Sequence, residues 1–156
     1  MHYDFELAGR RVRLWQRTGE SYEHVLMKAL GYAMFVAEFP ALEIEQRVGL
    51  RYKPDLVARG AGRAFEAPFV FWGECGRVAV RKTLWLLKHA GVERLVLFKI
   101  INNSAALVEE LRAAVDERYR APQRLILINF RGDIAARMRE RSIARVPENW
   151  YTRIVV

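Results

Sequence analysis

The sequence contains one cysteine, Cys75, and three histidines. A single cysteine cannot form a disulfide within the chain, so no disulfide framework is expected. The histidines, His2, His24 and His89, are scattered and lie at none of the spacings by which Cys and His hold structural zinc. Any metal ion is therefore expected to be held by carboxylates.

Long apolar runs are also lacking. Runs such as residues 95–98 and 125–130 are far too short to cross a bilayer. The N-terminus has no basic start followed by an apolar stretch, which a secretory signal needs. Residues 60–62 are Gly-Ala-Gly, but the third glycine and the following helix of a dinucleotide-binding fingerprint are missing. We therefore expect a cytoplasmic protein with no membrane association and no Rossmann-type cofactor.

Positive charge is in excess and is unevenly placed. The formal net charge of +8 attracts polyanions such as nucleic acid. Three stretches are rich in basic residues: Arg10, Arg11, Arg13 and Arg17; Arg77, Arg81, Lys82 and Lys88; and Arg131, Arg137, Arg139, Arg141 and Arg145. Together they could line a phosphate-binding face, although each stretch alone fits a solvated surface equally well.

Periodicity and turn residues predict the first half of the fold. A short hairpin is expected around residues 8–10, followed by a helix over residues 20–37, because apolar residues recur there every three or four positions until Pro40. Three strands with no helix between them should follow, at residues 42–50, 54–58 and 69–75. Residues 59–63 have the composition of a turn. The strands should form an antiparallel meander, since their connections are too short for crossovers.

The second half is predicted to alternate helices and strands. A helix over residues 77–89 should end before Gly91, and a buried strand should occupy residues 95–101. A helix capped by Asn103 or Ser104 and a buried strand at residues 124–130 complete a βαβ unit. The central order is therefore helix, three strands, helix, strand, which indicates a mixed sheet with helices on both sides.

The chain of 156 residues has the length of one ordinary domain. We therefore predict a single α/β domain over residues 1–156, with its core at about residues 20–101.

Three acidic residues fall where apolar ones are expected. Glu23 precedes Leu26 by three residues and Leu30 by seven, which predicts an inward position on the helix. Asp55 interrupts an apolar strand, and Glu74 should share a strand face with Trp72 between two glycines. The alternatives are a first-turn glutamate favoured by the helix dipole, a turn aspartate after proline, and a solvated strand end. Together the three carboxylates would suit a divalent cation such as magnesium.

These residues carry a resemblance to a known family. Glu23 and His24, residues 52–57 (YKPDLV) and residues 72–76 (WGECG) resemble the pattern of YaeQ-like proteins, a branch of the PD-(D/E)xK nuclease superfamily. The resemblance covers roughly residues 20–99. It implies a restriction-endonuclease-like α/β/α sandwich with a mixed central sheet and the core order αβββαβ.

The resemblance also implies a function and a site. A metal-dependent nuclease would hold Mg2+ or Mn2+ with Asp55 and Glu74, while Glu23 would contribute directly or through a metal-bound water. The metal would activate a water and polarise a nucleic-acid phosphodiester. The arginine-rich stretches would bind the DNA or RNA backbone.

One position departs from the superfamily pattern, which has a lysine two residues after the second acid, where this chain has Gly76. Lys82 is the first substitute, because it lies one to two turns into the next helix and could reach back towards Glu74. Lys53 is the second, and either lysine could instead be solvated. His24 could support the site, whereas Cys75 should be a small buried residue facing away from Glu74.

Two other functional classes stay open at this point. Gly76 also fits a catalytically inactive module that keeps the nuclease fold and binds nucleic acid or a protein partner. A purely structural partner protein is the third class. Metal affinity separates the first class from the other two, and salt-dependent DNA binding separates those two from each other.

Overall fold

A computed structural model describes residues 1–62 and 67–156. The strands are β1 (His2–Leu7), β2 (Arg10–Trp15), β3 (Glu43–Ile44), β4 (Leu56–Arg59), β5 (Phe69–Cys75), β6 (Leu95–Lys99), β7 (Leu125–Phe130), β8 (Ser142–Ile143) and β9 (Tyr151–Val155). The helices are α1 (Tyr22–Phe35), α2 (Val80–Lys88), α3 (Ser104–Ala114), α4 (Glu117–Arg120) and α5 (Ile134–Arg137), with a short 3-10 helix at Glu148–Trp150. The chain is thus a mixed α/β protein.

The strands form two mixed sheets. The larger sheet has the order β3-β4-β5-β6-β7-β9, in which β5, β6 and β7 are parallel and the remaining pairs are antiparallel. The smaller sheet has the order β2-β1-β8, with β1 antiparallel to β2 and parallel to β8. No helix in residues 1–62 and 67–156 is long and apolar enough to cross a membrane.

Side chains on the two faces of the large sheet pack into two separate cores. Along β6, Val96 and Phe98 pack with α1, whereas Leu95 and Leu97 pack under α2 and α3. This alternation follows from the period of two in a strand and explains why residues 95–98 and 125–128 are apolar without interruption. Helices therefore cover both faces of the sheet.

Helix α1 lies unusually close to the sheet. Its N-cap is Ser21, whose hydroxyl accepts the His24 N–H at 3.1 Å. At Gly31, a Cβ atom would lie 2.8 Å from a Leu56 methyl and 2.9 Å from the Phe98 ring. Glycine at this position lets the helix backbone approach β4 and β6.

The order of elements predicted for the centre of the chain is confirmed, with different boundaries. The predicted strand at residues 42–50 is reduced to β3, because Glu45 adopts a left-handed backbone (φ 55°) and the chain then leaves the sheet edge. Strands β3, β4 and β5 are adjacent and antiparallel, as predicted. The predicted turn at residues 59–63 overlaps the end of β4, and Arg63 lies outside the described residues.

The first hairpin is also confirmed. Ala8 and Gly9, both with positive φ, connect β1 to β2. Its separation into a second sheet with β8 was not predicted, and neither was β9 at the edge of the large sheet.

Candidate active site

Two acidic residues, Asp55 and Glu74, lie opposite each other where β4 begins and β5 ends. The Asp55 N–H donates to the Gly73 carbonyl at 3.1 Å, and Leu56 lies opposite Gly73 in the antiparallel ladder. Asp55 and Glu74 are therefore neighbours across two strands, although they are distant in sequence. Two of the three acids expected at one site are thus cross-strand neighbours.

The Asp55 carboxylate is held by the main chain of β5 and by α1. Its Oδ2 accepts the Cys75 N–H at 2.8 Å, and its Oδ1 lies 3.3 Å from His24 Nε2. The side chain keeps 17% of its surface exposed. Asp55 is thus fixed in orientation and still reachable from solvent.

The Glu74 carboxylate is almost fully enclosed. Its Oε1 accepts the Trp72 indole N–H at 2.7 Å, and its Oε2 lies 3.0 Å from Lys82 Nζ. Burial raises the pKa of Glu74, and the negative charge of Asp55 adds to this shift, while the bonds from Trp72 and Lys82 oppose it. The charged form of Glu74 therefore depends on these two donors.

Lys82 reaches the site from α2. Its Nζ forms a direct ion pair with Glu74 and lies 4.9 Å from the centroid of the Tyr52 ring. The prediction that Lys82 reaches back to this acid is confirmed. Lys53, the second choice, is half-buried and has no ion pair or side-chain hydrogen bond within the described part of the chain.

The local geometry at Gly76, where the resemblance leads one to expect a lysine, disfavours a side chain. Gly76 has a φ of +77°, and a Cβ atom there would lie 3.1 Å from His24 Nδ1. The Gly76 carbonyl accepts a hydrogen bond from Lys99, a buried lysine at the end of β6. Burial lowers the pKa of Lys99. A second lysine thus contacts the main chain at this position.

Sequence patterns did not identify Lys99 as part of the site. The only signal in the sequence is that a lysine directly follows the apolar residues 95–98. In the structure β6 is the neighbour of β5, and Lys99 follows Phe98, the residue opposite Cys75. The Cys75 side chain is buried in the core on the α1 side, and burial raises the pKa of its thiol well above the usual value. The prediction of a small buried residue at this position is confirmed.

The inward position predicted for Glu23 is wrong. Glu23 is exposed, and it has no hydrogen bond or ion pair from its carboxylate among residues 1–62 and 67–156. The helix begins only at Tyr22, so Glu23 lies in its first turn, and a different acid is folded inward just before the Ser21 cap. That acid is Glu20, whose Oε1 lies 3.5 Å from His24 Nε2.

Glu20 belongs to a second cluster, formed by Glu20, Lys28 and Glu45 and called here the Lys28 cluster. Lys28 Nζ lies 2.5 Å from Glu20 Oε1 and 3.3 Å from Glu45 Oε1, and the Lys28 side chain is fully buried. Burial acts to raise the pKa of Glu20, but the bond from Lys28 and further donors outweigh it, so the net shift is downward. His24 and Lys28 are four residues apart on one side of α1, but Glu20 precedes the helix, so helical spacing does not identify it.

The site offers two carboxylates to a cation. No group of three or more His, Cys, Asp or Glu side chains arranged to hold a metal occurs in residues 1–62 and 67–156. Mg2+ commonly binds through one or two carboxylates and keeps several waters. The residues present therefore fit a hydrated ion held by Asp55 and Glu74, with Lys82 beside it.

Comparisons with known proteins locate the fold. No protein-family model matches the chain. No curated protein matches it either. The crystal structure of a YaeQ protein from Xanthomonas axonopodis pv. citri is similar with a TM-score of 0.62 and 14% identity, over 99% of this chain and 93% of that one. A YaeQ protein from Pseudomonas syringae is similar with a TM-score of 0.60 and 17% identity, over 91% of this chain and 79% of that one. At this identity the similarity concerns the fold, and we conclude that the chain has a YaeQ-like fold.

Proposed function

We propose that the protein is a metal-dependent nuclease of the PD-(D/E)xK superfamily with a restriction-endonuclease-like core. The observation that carries the proposal is the ion pair of Lys82 with Glu74, at 3.0 Å, beside Asp55 on the neighbouring strand. Two acids on adjacent strands and a lysine are the residue types of the superfamily site, with the lysine supplied by α2. The order α1, β3, β4, β5, α2, β6 supports the same assignment.

Asp55 and Glu74 would hold Mg2+ or Mn2+. When bound, the ion would polarise a scissile phosphate and lower the pKa of a coordinated water. The Cys75 N–H keeps the Asp55 carboxylate in one orientation, and the Trp72 indole does the same for Glu74. Glu23 is exposed and has no place in this ligand set.

Lys82 would supply positive charge at the phosphate. Two adjacent carboxylates repel an anionic substrate, and the ammonium group offsets part of that repulsion. Its side chain is 20% exposed, so it can turn from Glu74 towards a bound phosphate. There it would orient the attacking water or stabilise the charge that develops on the phosphate oxygens.

The substrate proposed is DNA or RNA. The net charge of +8 and the three arginine-rich stretches supply backbone contacts that carry no sequence information. The nuclease would act in the cytoplasm, where its single cysteine stays reduced.

The proposal is tested by comparing the rates at which wild-type protein and Lys82→Ala cleave nucleic acid with a metal ion present. With Mn2+ and a plasmid, single-stranded DNA and RNA as substrates, we expect the variant to cleave about 100-fold more slowly or worse, because one positioned cation is lost near the reacting phosphate. Nucleic-acid binding should change little. Arg112→Ala is the control, since Arg112 is an exposed cation on α3, outside the three basic stretches. Wild-type protein that binds no Mn2+ and cleaves none of the substrates would contradict the proposal.

A binding module without catalysis is the second candidate. It is favoured by the same ion pair, because Lys82 already neutralises Glu74 and all four carboxylate oxygens of Asp55 and Glu74 have protein partners. Calorimetric titration with Mn2+ separates the two candidates. Heat of binding that disappears in Asp55→Asn supports the nuclease, and its absence in wild-type protein supports the module.

A further inference from the structure

A row of aromatic rings begins at Lys82 and runs along α2. It consists of Tyr52, Trp85 and His89 and is called here the aromatic strip. The Tyr52 and Trp85 ring centroids are 5.3 Å apart with a T-shaped arrangement, and those of Trp85 and His89 are 6.1 Å apart. Lys82 lies 4.9 Å from the Tyr52 centroid, so the strip starts at the candidate site.

The spacing along the helix makes the strip continuous. Lys82, Trp85 and His89 are three and four residues apart, which places them on one stripe of α2. At about 1.5 Å per residue they span about 10 Å, the length of roughly three stacked bases. Tyr52 and Trp85 pack on one side against the core under α2, yet both are only half-buried, and His89 is exposed.

The surroundings of the strip are positively charged. The exposed Arg51 guanidinium lies 5.0 Å from the Tyr52 centroid and 5.8 Å from the Trp85 ring. No acidic residue occurs between Glu74 and Glu93, a stretch that contains Arg81 and Lys88 as well. A ligand of the strip is therefore expected to combine negative charge with flat rings.

We infer that the aromatic strip binds a nucleic-acid strand whose bases are unpaired, and that it leads this strand to Lys82. Unpaired bases stack on aromatic side chains and on planar guanidinium groups such as that of Arg51, while the phosphates follow the basic residues. In a duplex the base faces are already stacked and cannot contact the strip. The inference rests on the proposed nuclease function and specifies its substrate class.

Binding measured in EDTA tests the inference without cleavage. Fluorescence anisotropy would compare a labelled single strand of DNA, the same sequence as RNA, and the corresponding DNA duplex. We expect wild-type protein to bind at least one of the single strands about tenfold more tightly than the duplex. The tighter-binding of the two single strands shows whether the protein prefers the deoxyribose of DNA or the ribose of RNA.

Variants of the strip should remove this preference. Tyr52→Leu and Trp85→Leu are each expected to weaken single-strand binding by about 5-fold to 150-fold, and to leave duplex binding unchanged. Tyr52→Phe keeps the ring and should bind as wild type. Trp15→Leu is the control, because Trp15 is 55% exposed on β2, in the other sheet. Thermal unfolding of each variant verifies that it is folded.

Two results would overturn the inference: equal affinity of wild-type protein for single strands and duplex, or single-strand affinity unchanged in both leucine variants. The nuclease proposal fails separately. Protein that prefers single strands through Tyr52 and Trp85 but never cleaves them with Mn2+ would support the strip as a binding surface and contradict catalysis.

Discussion

The two lysine–carboxylate clusters differ in which partner is enclosed. In the Lys28 cluster the lysine is fully buried between Glu20 and Glu45, whose side chains are 13% and 22% exposed. At the candidate active site the carboxylate of Glu74 is buried, with 4% exposed, while Lys82 is 20% exposed. One cluster encloses a cation within the protein, and the other presents a cation to solvent.

This difference fits a structural role for Lys28 and the functional role proposed for Lys82. A buried ammonium held by two carboxylates cannot leave them without a large desolvation penalty. Lys82 is part-exposed, and in the proposed mechanism it exchanges Glu74 for a phosphate. His24 lies between the clusters, with its Nε2 3.3 Å from Asp55 Oδ1 and 3.5 Å from Glu20 Oε1. The Lys28 cluster is thus linked to Asp55 through His24.

Replacing each lysine by methionine should give unequal losses of stability. Lys28→Met leaves Glu20 and Glu45 without their shared cation, and we expect the free energy of unfolding to fall by about 3–5 kcal/mol. Lys82→Met should lower it by about 1–2 kcal/mol, because Glu74 retains the Trp72 donor and can take up a proton. Urea denaturation at neutral pH measures both values. Equal losses would remove the distinction between the clusters.

Removing one acid from each cluster should reduce cleavage most at the candidate active site, whereas removing each lysine should reduce stability most in the Lys28 cluster. Asp55→Asn is expected to reduce Mn2+-dependent cleavage by about 100-fold to 1,000-fold, because the candidate ligand set loses a charge. Glu45→Gln, the matched control in the Lys28 cluster, should retain most of the activity and lose stability instead. A similar loss of cleavage in both variants would mean that the Lys28 cluster takes part in catalysis.

The pH dependence of stability should reveal the contribution of Glu20. Its pKa is lower in the folded state than in the unfolded chain, so the stabilisation is present above the ordinary glutamate pKa of about 4.3 and is lost as the pH falls through the folded value. We expect the free energy of unfolding of Glu20→Gln to be about 2 kcal/mol lower than that of wild type at pH 7. The gap to wild type should narrow below about pH 4.3. If the difference in free energy of unfolding between wild type and Glu20→Gln stayed constant on acidification, Glu20 would not be a charged partner of Lys28 in the folded protein.

The smallest expected difference between a variant and its control concerns Gly76. Gly76→Ala should lower the free energy of unfolding by about 2 kcal/mol, through left-handed strain of about 1 kcal/mol and the close contact with His24. Gly9→Ala is the control, because Gly9 has the same φ of +77° with no atom near the added Cβ, so about 1 kcal/mol is expected. Equal losses of free energy of unfolding in the two variants, measured by thermal unfolding, would show that the His24 side chain moves away from the added methyl group at no cost in stability.

The central fold could be predicted because its signals are local. The apolar strands β6 and β7, the meander of β3 to β5, and the helices between them follow from periodicity and turn residues. Strand β8 has only two residues and pairs with the distant β1, so no window of sequence contains its partner. The same limitation applies to β9, which is an edge strand with weak alternation.

The candidate site was predictable only in part for a related reason. Asp55 directly precedes an apolar strand and Glu74 lies inside one, and such a conflict between residue type and position is visible in the sequence. Glu23 is predicted to lie inward because it matches an apolar stripe of α1. That stripe does not distinguish buried from exposed positions, since every residue from Val25 to Ala33 is buried. The inward acid, Glu20, precedes the helix, where periodicity carries no information.

The pairing of β1 has a consequence for synthesis. Its contact with β2 needs only the turn at Ala8 and Gly9, so the hairpin can form while the chain is still short. Its other contact pairs Glu6 with Ser142 and closes a very long loop. Until residue 142 has been translated, one edge of β1 keeps unpaired backbone donors and acceptors. A nascent chain paused before that point would offer this edge to other strands, including those of neighbouring nascent chains on the same messenger.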